Sequence, residues 1–290
     1  MKKATLSTVL LASAASLLSI NLSAQPVQEV NFPPASPSST VKEKVGLTDV
    51  EIYYARPSAK GRKVFGGLVP HGQMWRTGAN HATKLTFSTD VTFGGKAVPA
   101  GSYALFTIPG DKEWTMVLNT NHQQWGSYGY NKEEDVVRVT AKPKKLADPV
   151  ETFTMGLSHM RTDSAHLTLS WENTSVSVPI KTDIVSVLVP QIEAAMVAEG
   201  ENKPYFAAAM FYYEHDLDMT KARDWVEAAA LLQPDKPWIT YRKGLVLAKM
   251  GDKAGAIEAA KAAHAQAQKA GGELGAEYTR LSEQLLAKLQ

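Results

Sequence analysis

The spacing of apolar residues changes once along this chain, and the change divides the sequence into two kinds of structure. Before Thr182 apolar and polar residues alternate, as around Val50, Ile52 and Tyr54. After Thr182 apolar residues recur every three to four positions, beginning at Ile184. A period of two is typical of half-buried strands, and a period of 3.6 is typical of amphipathic helices. The sequence therefore predicts an α+β protein with segregated domains: an N-terminal antiparallel β-sandwich over residues 39–182 and an all-α C-terminal domain over residues 183–290.

Turn residues separate the strand-like segments of the first domain. Phe93-Gly94-Gly95-Lys96 and Pro109-Gly110-Asp111 are the clearest of these turns. Eight to ten short strands are expected, with no helical pattern between them. The segments with the clearest alternation are Lys84–Ser88, Ser102–Ile108, Glu113–Asn119, Val136–Ala141, Glu151–Leu157, Leu167–Trp171 and Val176–Ile180.

The helical part shows an internal repeat. Asp183 is placed to cap a first helix. Small residues then recur 34 positions apart, at Ala222 and Ala256 and again at Ala229 and Ala263. This spacing, with its small residues at helix crossings, resembles the tetratricopeptide repeat. The resemblance implies a short helical array that binds a protein partner, although any antiparallel helical bundle would also account for the pattern.

The first residues of the chain predict export. Lys2 and Lys3 precede an uncharged run that ends in Leu22-Ser23-Ala24. A basic start, an apolar centre and a small-residue exit are the parts of a secretory signal peptide, here residues 1–24, while the alternative is a membrane anchor. Residues 25–38 are rich in proline and indicate an extended leader. We therefore expect an exported protein, periplasmic or secreted, with no stable membrane span after cleavage.

Charge and cysteine content exclude several classes of function. The chain has 31 basic and 29 acidic residues, and removal of residues 1–24 takes two lysines and makes the numbers equal. Nucleic-acid-binding proteins normally carry a basic excess, so no nucleic-acid partner is expected. Because there is no cysteine, neither a disulfide nor cysteine catalysis is possible.

One segment departs from the even mixture of charges. The 38 residues from Ile52 to Thr89 contain no Asp or Glu. They do contain six basic side chains: Arg56, Lys60, Arg62, Lys63, Arg76 and Lys84. Arginines can hold a carboxylate or phosphate through two parallel hydrogen bonds, Trp75 offers an aromatic face, and Asn80 offers a donor and an acceptor. The alternative interpretation is structural, with arginines bound to main-chain carbonyls and Trp75 in the core.

A second candidate is the segment Asn119–Asp135. Its aromatic residues Trp125, Tyr128 and Tyr130 are spaced by glycine and serine. Aromatic rings on a polar loop suit stacking against a sugar or a peptide, whereas Trp125 could equally cover the end of the sandwich. Long loops in compact domains are often functional.

The first domain contains several long contiguous motifs. They are Tyr54-Ala55-Arg56-Pro57-Ser58, Lys60-Gly61-Arg62, Val64-Phe65-Gly66, Leu68-Val69-Pro70, Trp75-Arg76-Thr77-Gly78-Ala79-Asn80, Pro99-Ala100-Gly101-Ser102-Tyr103 and Trp125-Gly126. With these motifs, residues 36–182 resemble an exported bacterial family, domain-of-unknown-function family 2911, which has no established activity. Where such proteins usually have Glu after Gly78-Ala79-Asn80, this chain has His81.

Catalytic and metal motifs are weak. There is no Gly-x-Ser-x-Gly and no His-Glu-x-x-His, and we expect no metal, no cofactor and no catalytic residue. The favoured function is non-enzymatic recognition in the cell envelope, with an anionic or carbohydrate ligand on the β-domain and a protein partner on the helices. The expected ligand-binding residues are Arg56, Arg62, Trp75, Arg76, Asn80, His81 and Trp125. Two alternatives stay open: a glycan hydrolase or lyase that uses His71 or His81, and a purely structural scaffold.

Overall fold

A computed structural model of the chain describes residues 31–200 and 202–290. The predicted signal peptide, residues 1–24, and the first part of the predicted leader lie outside the described residues. Ser36–Gln290 form one compact unit. Its strands are β1 Ser38–Val45, β2 Thr48–Ala55, β3 Thr83–Phe87, β4 Val91–Phe93, β5 Lys96–Val98, β6 Gly101–Ile108, β7 Trp114–Asn119, β8 Asp135–Ala141, β9 Lys144–Ser158 and β10 Ser164–Thr182. Its helices are α1 Ile184–Val197, α2 Tyr205–Glu214, α3 Met219–Leu232, α4 Pro237–Lys249, α5 Lys253–Ala270 and α6 Gly272–Leu289.

The strands form two antiparallel sheets. The larger has the order β1-β2-β3-β6-β7-β8, and the smaller has the order β5-β4-β10-β9. Every hydrogen-bonded pair of neighbouring strands is antiparallel. The predicted arrangement of antiparallel strands followed by helices is therefore confirmed.

The two sheets bury one apolar core between them. Alternate residues of each strand point inward, and the core draws Leu85, Trp114 and Met116 from the larger sheet and Phe153 and Trp171 from the smaller one. Side chains of this size dominate the burial free energy of a β-sandwich. The core therefore supplies most of the stability of the N-terminal part.

The outer face of the larger sheet carries a second, smaller apolar cluster. In β6, Leu105 faces the main core, so its neighbours Ala104 and Phe106 face outward. Val117 of β7 joins them, and the partly buried Met74 and Tyr130 pack over this patch. The residues between β7 and β8, 120–134, therefore lie across the outer face of the sheet, and we call them the aromatic loop.

Strand β10 differs from the sequence-based expectation. Two segments, Leu167–Trp171 and Val176–Ile180, were expected, but both belong to one strand of 19 residues. The inward residues change from odd to even positions at Glu172, which has φ +51° and lies between two register shifts. A bulge absorbs one extra residue without ending the strand, and it reverses the alternation beyond it.

The helices begin where the change of period predicted. Asp183 accepts a hydrogen bond from the main-chain N–H of Ser186 and caps α1. The recurring alanines at 222, 229, 256 and 263 are all buried, which allows close packing of neighbouring helices. Gly271, at φ +65°, separates α5 from α6.

None of the helices in the described part of the chain combines the length and the apolar character that crossing a membrane requires.

Candidate functional site

In the part of the chain that the structure describes, none of the six basic side chains of residues 52–89 forms a salt bridge with a carboxylate. Acidic residues from the smaller sheet instead bind main-chain amides of this segment. Glu151 accepts from the N–H of Lys60 at 2.8 Å, and Glu172 accepts from the N–H of Val64 at 3.0 Å. The segment is therefore anchored through its backbone.

Arg56 and Arg62 end on protein oxygens. The Nε of Arg56 donates to the Phe153 carbonyl at 3.1 Å, and its Nη2 donates to Thr154 Oγ1 at 3.0 Å. Arg62 binds two carbonyls of its own loop, those of Ala59 and Ser58, at 2.8 and 2.7 Å. The sequence left open whether these arginines bind a ligand or hold the loop. Their geometry favours the structural interpretation, and we leave both out of the proposed site.

Replacing Arg56 by glutamine is expected to lower the free energy of unfolding by about 1–3 kcal/mol, because a charged donor is lost from the Phe153 carbonyl. Urea unfolding measures the change. Arg62→Gln is the matched control, since its bonds join residues only three and four positions apart, and it should stay within about 1 kcal/mol of the wild type. Equal effects of the two substitutions would contradict a cross-sheet role for Arg56.

Trp75 lies in the main core and does not offer a face to a ligand. Its side chain is only 9% exposed. The ring stacks on Trp171, with centroids 5.9 Å apart, and meets Phe153 edge to face at 5.3 Å. The indole Nε1 donates to the Gly78 carbonyl at 3.0 Å. The expectation of a stacking face at Trp75 is therefore wrong, because pairing of its backbone with Thr107 of β6 turns the ring inward.

Arg76, the next residue, contacts the aromatic loop. Gly126 of that loop has no side chain, and the place where a Cβ would stand lies 3.3 Å from the Nη1 of Arg76. Its Nε is buried and has no hydrogen-bond partner among residues 31–200 and 202–290. A buried charged donor that lacks an acceptor is unusual in folded proteins. Arg76 is therefore the one basic residue of this segment with both a buried donor and no partner in the described structure.

An exposed aromatic ring lies beside Arg76. The place where a Cβ on Gly126 would stand is also 2.7 Å from a ring carbon of Tyr128, and Tyr128 is 86% exposed. Trp125, the residue before Gly126, is 57% exposed, and its ring packs edge to face against His81, with centroids 4.8 Å apart. The structure therefore places Tyr128 beside Arg76 and pairs the predicted residues His81 and Trp125 with each other on the same loop.

Backbone pairing fixes these residues in place. The N–H of Gly126 donates to the Asn80 carbonyl at 3.0 Å, and a β-bridge joins His81 to Trp125. Asn80 has φ +60°, and its side-chain amide donates to the Ser36 carbonyl at 3.3 Å. The main-chain carbonyl of Asn80 thus positions the aromatic loop, and the side-chain amide of Asn80 fixes this residue to Ser36.

A polar cluster that the sequence did not reveal anchors the far end of the aromatic loop. Asp135 accepts from Tyr130 Oη and from the Nε of Arg138, each at 2.7 Å, and Arg138 also donates to Tyr130 Oη. Asn119 donates to Asp135 at 3.0 Å. Burial, together with the hydrogen bond to Asp135, raises the pKa of Tyr130. The bonds of Asp135 are those of a loop anchor.

The two histidines of the hydrolase alternative have different surroundings. The Nδ1 of His71 lies 3.0 Å from a carboxylate oxygen of Asp111, whereas His81 packs on Trp125. No group of three or more metal-ligating side chains is arranged around a common point in the part of the chain that the structure describes. The arrangement is suited to holding a molecule, with a cationic donor on one side and aromatic surface on the other.

Comparison with known proteins places the N-terminal part in a family. A search of curated proteins and a search of solved structures each gave no match. The model of one protein family matches residues 36–180, which is half of the chain and contains every residue of the site. The chain therefore belongs to the family described as protein of unknown function, DUF2911.

Proposed function

We propose that this chain is a non-enzymatic recognition protein of the cell envelope, and that its β-domain binds an acidic sugar between Arg76 and the aromatic loop. The observation that carries the proposal is the guanidinium group of Arg76, whose Nε has no partner in the described structure, beside the exposed ring of Tyr128. Export follows from the signal peptide that the sequence predicts.

The guanidinium group supports an anionic ligand. Arginine presents its N–H groups in a planar fork that matches a carboxylate, and such charge-assisted bonds are stronger than neutral ones. A hydrogen bond to a charged group contributes about 1.5–3 kcal/mol, so a ligand oxygen that bonded the guanidinium group of Arg76 would gain free energy of this order. Among the residues that the structure describes, Arg76 is the one arginine or lysine that the contacts place here, so a singly charged carboxylate suits the site better than a doubly charged phosphate.

The aromatic rings support a ligand with an apolar face. Tyr128 exposes ring surface next to the guanidinium group, and Trp125 exposes ring surface on the same loop. Stacking surfaces of this kind contribute through burial and carry a polar edge at the same time. A sugar ring has an apolar face and polar edges, so a sugar with a carboxylate group matches both halves of the site.

The helical part supports a second role, in binding a protein partner. Its 34-residue spacing and buried alanines are similar to those of tetratricopeptide arrays, which hold partner segments on their surfaces. In this proposal the β-domain selects the glycan and the helices connect it to a second protein.

Isothermal titration of the full chain tests the β-domain proposal with three probes: glucuronate, glucose and glucose 6-phosphate. Glucuronate is expected to bind most tightly, because only it combines a single carboxylate with a sugar face. Equal affinity for all three probes, or no heat with any of them, would contradict the proposal.

Trp125→Ala is expected to weaken glucuronate binding roughly tenfold, because one stacking surface is lost. Tyr53→Ala is the control, since Tyr53 is also an exposed aromatic residue of the larger sheet but lies on β2, outside these contacts. It should leave the affinity unchanged. A similar loss with both variants would show that the aromatic loop has no special role.

A further inference from the structure

A groove runs between helices α3 and α5, and α4 forms its floor. Its volume is about 740 Å³. The buried side chain of Leu247, from α4, lies at the bottom. At one end Gln266 of α5 donates to the Pro234 carbonyl at 2.8 Å, which ties α5 to the turn after α3. The α5 wall from Gly255 to Gln266 is about 16 Å long at 1.5 Å per residue, enough for about five residues of an extended chain.

Apolar surface is exposed on the α3 wall. Leu231 lines the groove and is 82% exposed. Leu232, next to it, is 64% exposed. Consecutive residues of a helix point in different directions, and Leu232 does not line the groove, so Leu231 is the apolar side chain that a bound segment would cover.

The groove carries one net negative charge, since two cations and three carboxylates line it. Of the cations, Lys243 is paired with Glu227 at 3.1 Å, and Arg223 is paired at 2.7 Å with its neighbour Asp224, which lies outside the groove. Asp252 and Glu258 also line the groove, and neither has a salt-bridge partner in the two described ranges. Two carboxylates are therefore left to attract a cation.

We propose that this groove binds an extended segment of a partner protein that carries both basic and bulky apolar side chains. The basic residues face Asp252 and Glu258, and the apolar residue covers Leu231. Complementary charge selects such a segment and speeds its association. The inference rests on the proposed function only for the statement that the helices bind a protein, and it adds the surface and the chemistry of the partner.

The test uses the full chain and two fluorescein-labelled twelve-residue peptides, one of alternating leucine and lysine and the other of alternating leucine and glutamate. Fluorescence anisotropy is expected to show binding of the lysine peptide only, and weaker binding at higher salt. Leu231→Ser and Glu258→Lys are each expected to weaken it by roughly tenfold. Both positions are exposed, so folding is preserved. Asp252 is left unchanged because it caps α5 through the N–H of Gly255.

Glu277→Lys on α6 is the control, since Glu277 is exposed, lies outside the groove and undergoes the same reversal of charge. It should leave the affinity unchanged. Binding of both peptides, binding of neither, or equal losses in the Glu258 and Glu277 variants would overturn the inference. Glucuronate titration of the same preparations distinguishes this failure from a failure of the proposed function, because the Arg76 site should respond to none of the helical substitutions.

Discussion

Replacing Trp75 by alanine is expected to lower the free energy of unfolding by about 3–5 kcal/mol, the usual range for removing a buried tryptophan. The ring is 9% exposed and lies among Trp114, Trp171 and Phe153. Its indole N–H also serves the buried Gly78 carbonyl, which would lose its donor. The loss of core packing and the loss of this hydrogen bond both lower the free energy of unfolding.

Urea unfolding followed by circular dichroism measures this change, and Trp125→Ala is the matched control. Trp125 is 57% exposed, so its loss should change stability by only about 0.5 kcal/mol. The same substitution at two tryptophans then separates a core residue from a surface one. Similar destabilisation by the two substitutions would mean that the aromatic loop is part of the structural core.

The alternation of side chains along an extended chain could have shown that Trp75 and Arg76 point to opposite sides. Consecutive residues of extended chain point to opposite sides, so a tryptophan and an arginine in sequence cannot both line one site. Trp75 enters the main core, and Arg76 reaches the aromatic loop. The pairing of the loop with His81 was beyond reach from sequence, because it depends on a contact between residues that are 44 positions apart.

The acid-free segment shows why local composition misleads about charge. Glu151 and Glu172, far away in the chain, bind amide groups of the segment and form no salt bridge with its arginines and lysines in the described structure. Two of its arginines are satisfied by carbonyl oxygens, which no composition reveals. Only hydrogen-bond geometry distinguishes these from Arg76.

Fold class was more accessible because it depends on periodicity. The change at Thr182 marked the end of β10, and Asp183 marked the start of α1. The alternation of apolar residues gave a wrong strand count where a bulge adds one residue to β10. Alternation shifted phase at Glu172, and the shift indicated two strands instead of one bulged strand.

Replacing Arg76 by glutamine is expected to weaken glucuronate binding about tenfold to hundredfold, since charge-assisted hydrogen bonds to the carboxylate are lost. Affinity for neutral glucose should stay as it is. Isothermal titration measures both. A variant that keeps wild-type affinity for glucuronate would remove Arg76 from the site.

The free energy of unfolding of the Arg76→Gln variant provides a second test. The Nε of Arg76 is buried without an acceptor in the described structure, so its removal leaves no protein group unsatisfied and should not lower the free energy of unfolding. Arg56→Gln, which strips a donor from the Phe153 carbonyl, should lower it by about 1–3 kcal/mol. The free energy of unfolding therefore distinguishes an arginine that binds a ligand from an arginine that stabilises the fold. If Arg76→Gln destabilised the protein as much as Arg56→Gln does, Arg76 would be a structural clamp like Arg56, and the acidic-sugar site would lose its central donor.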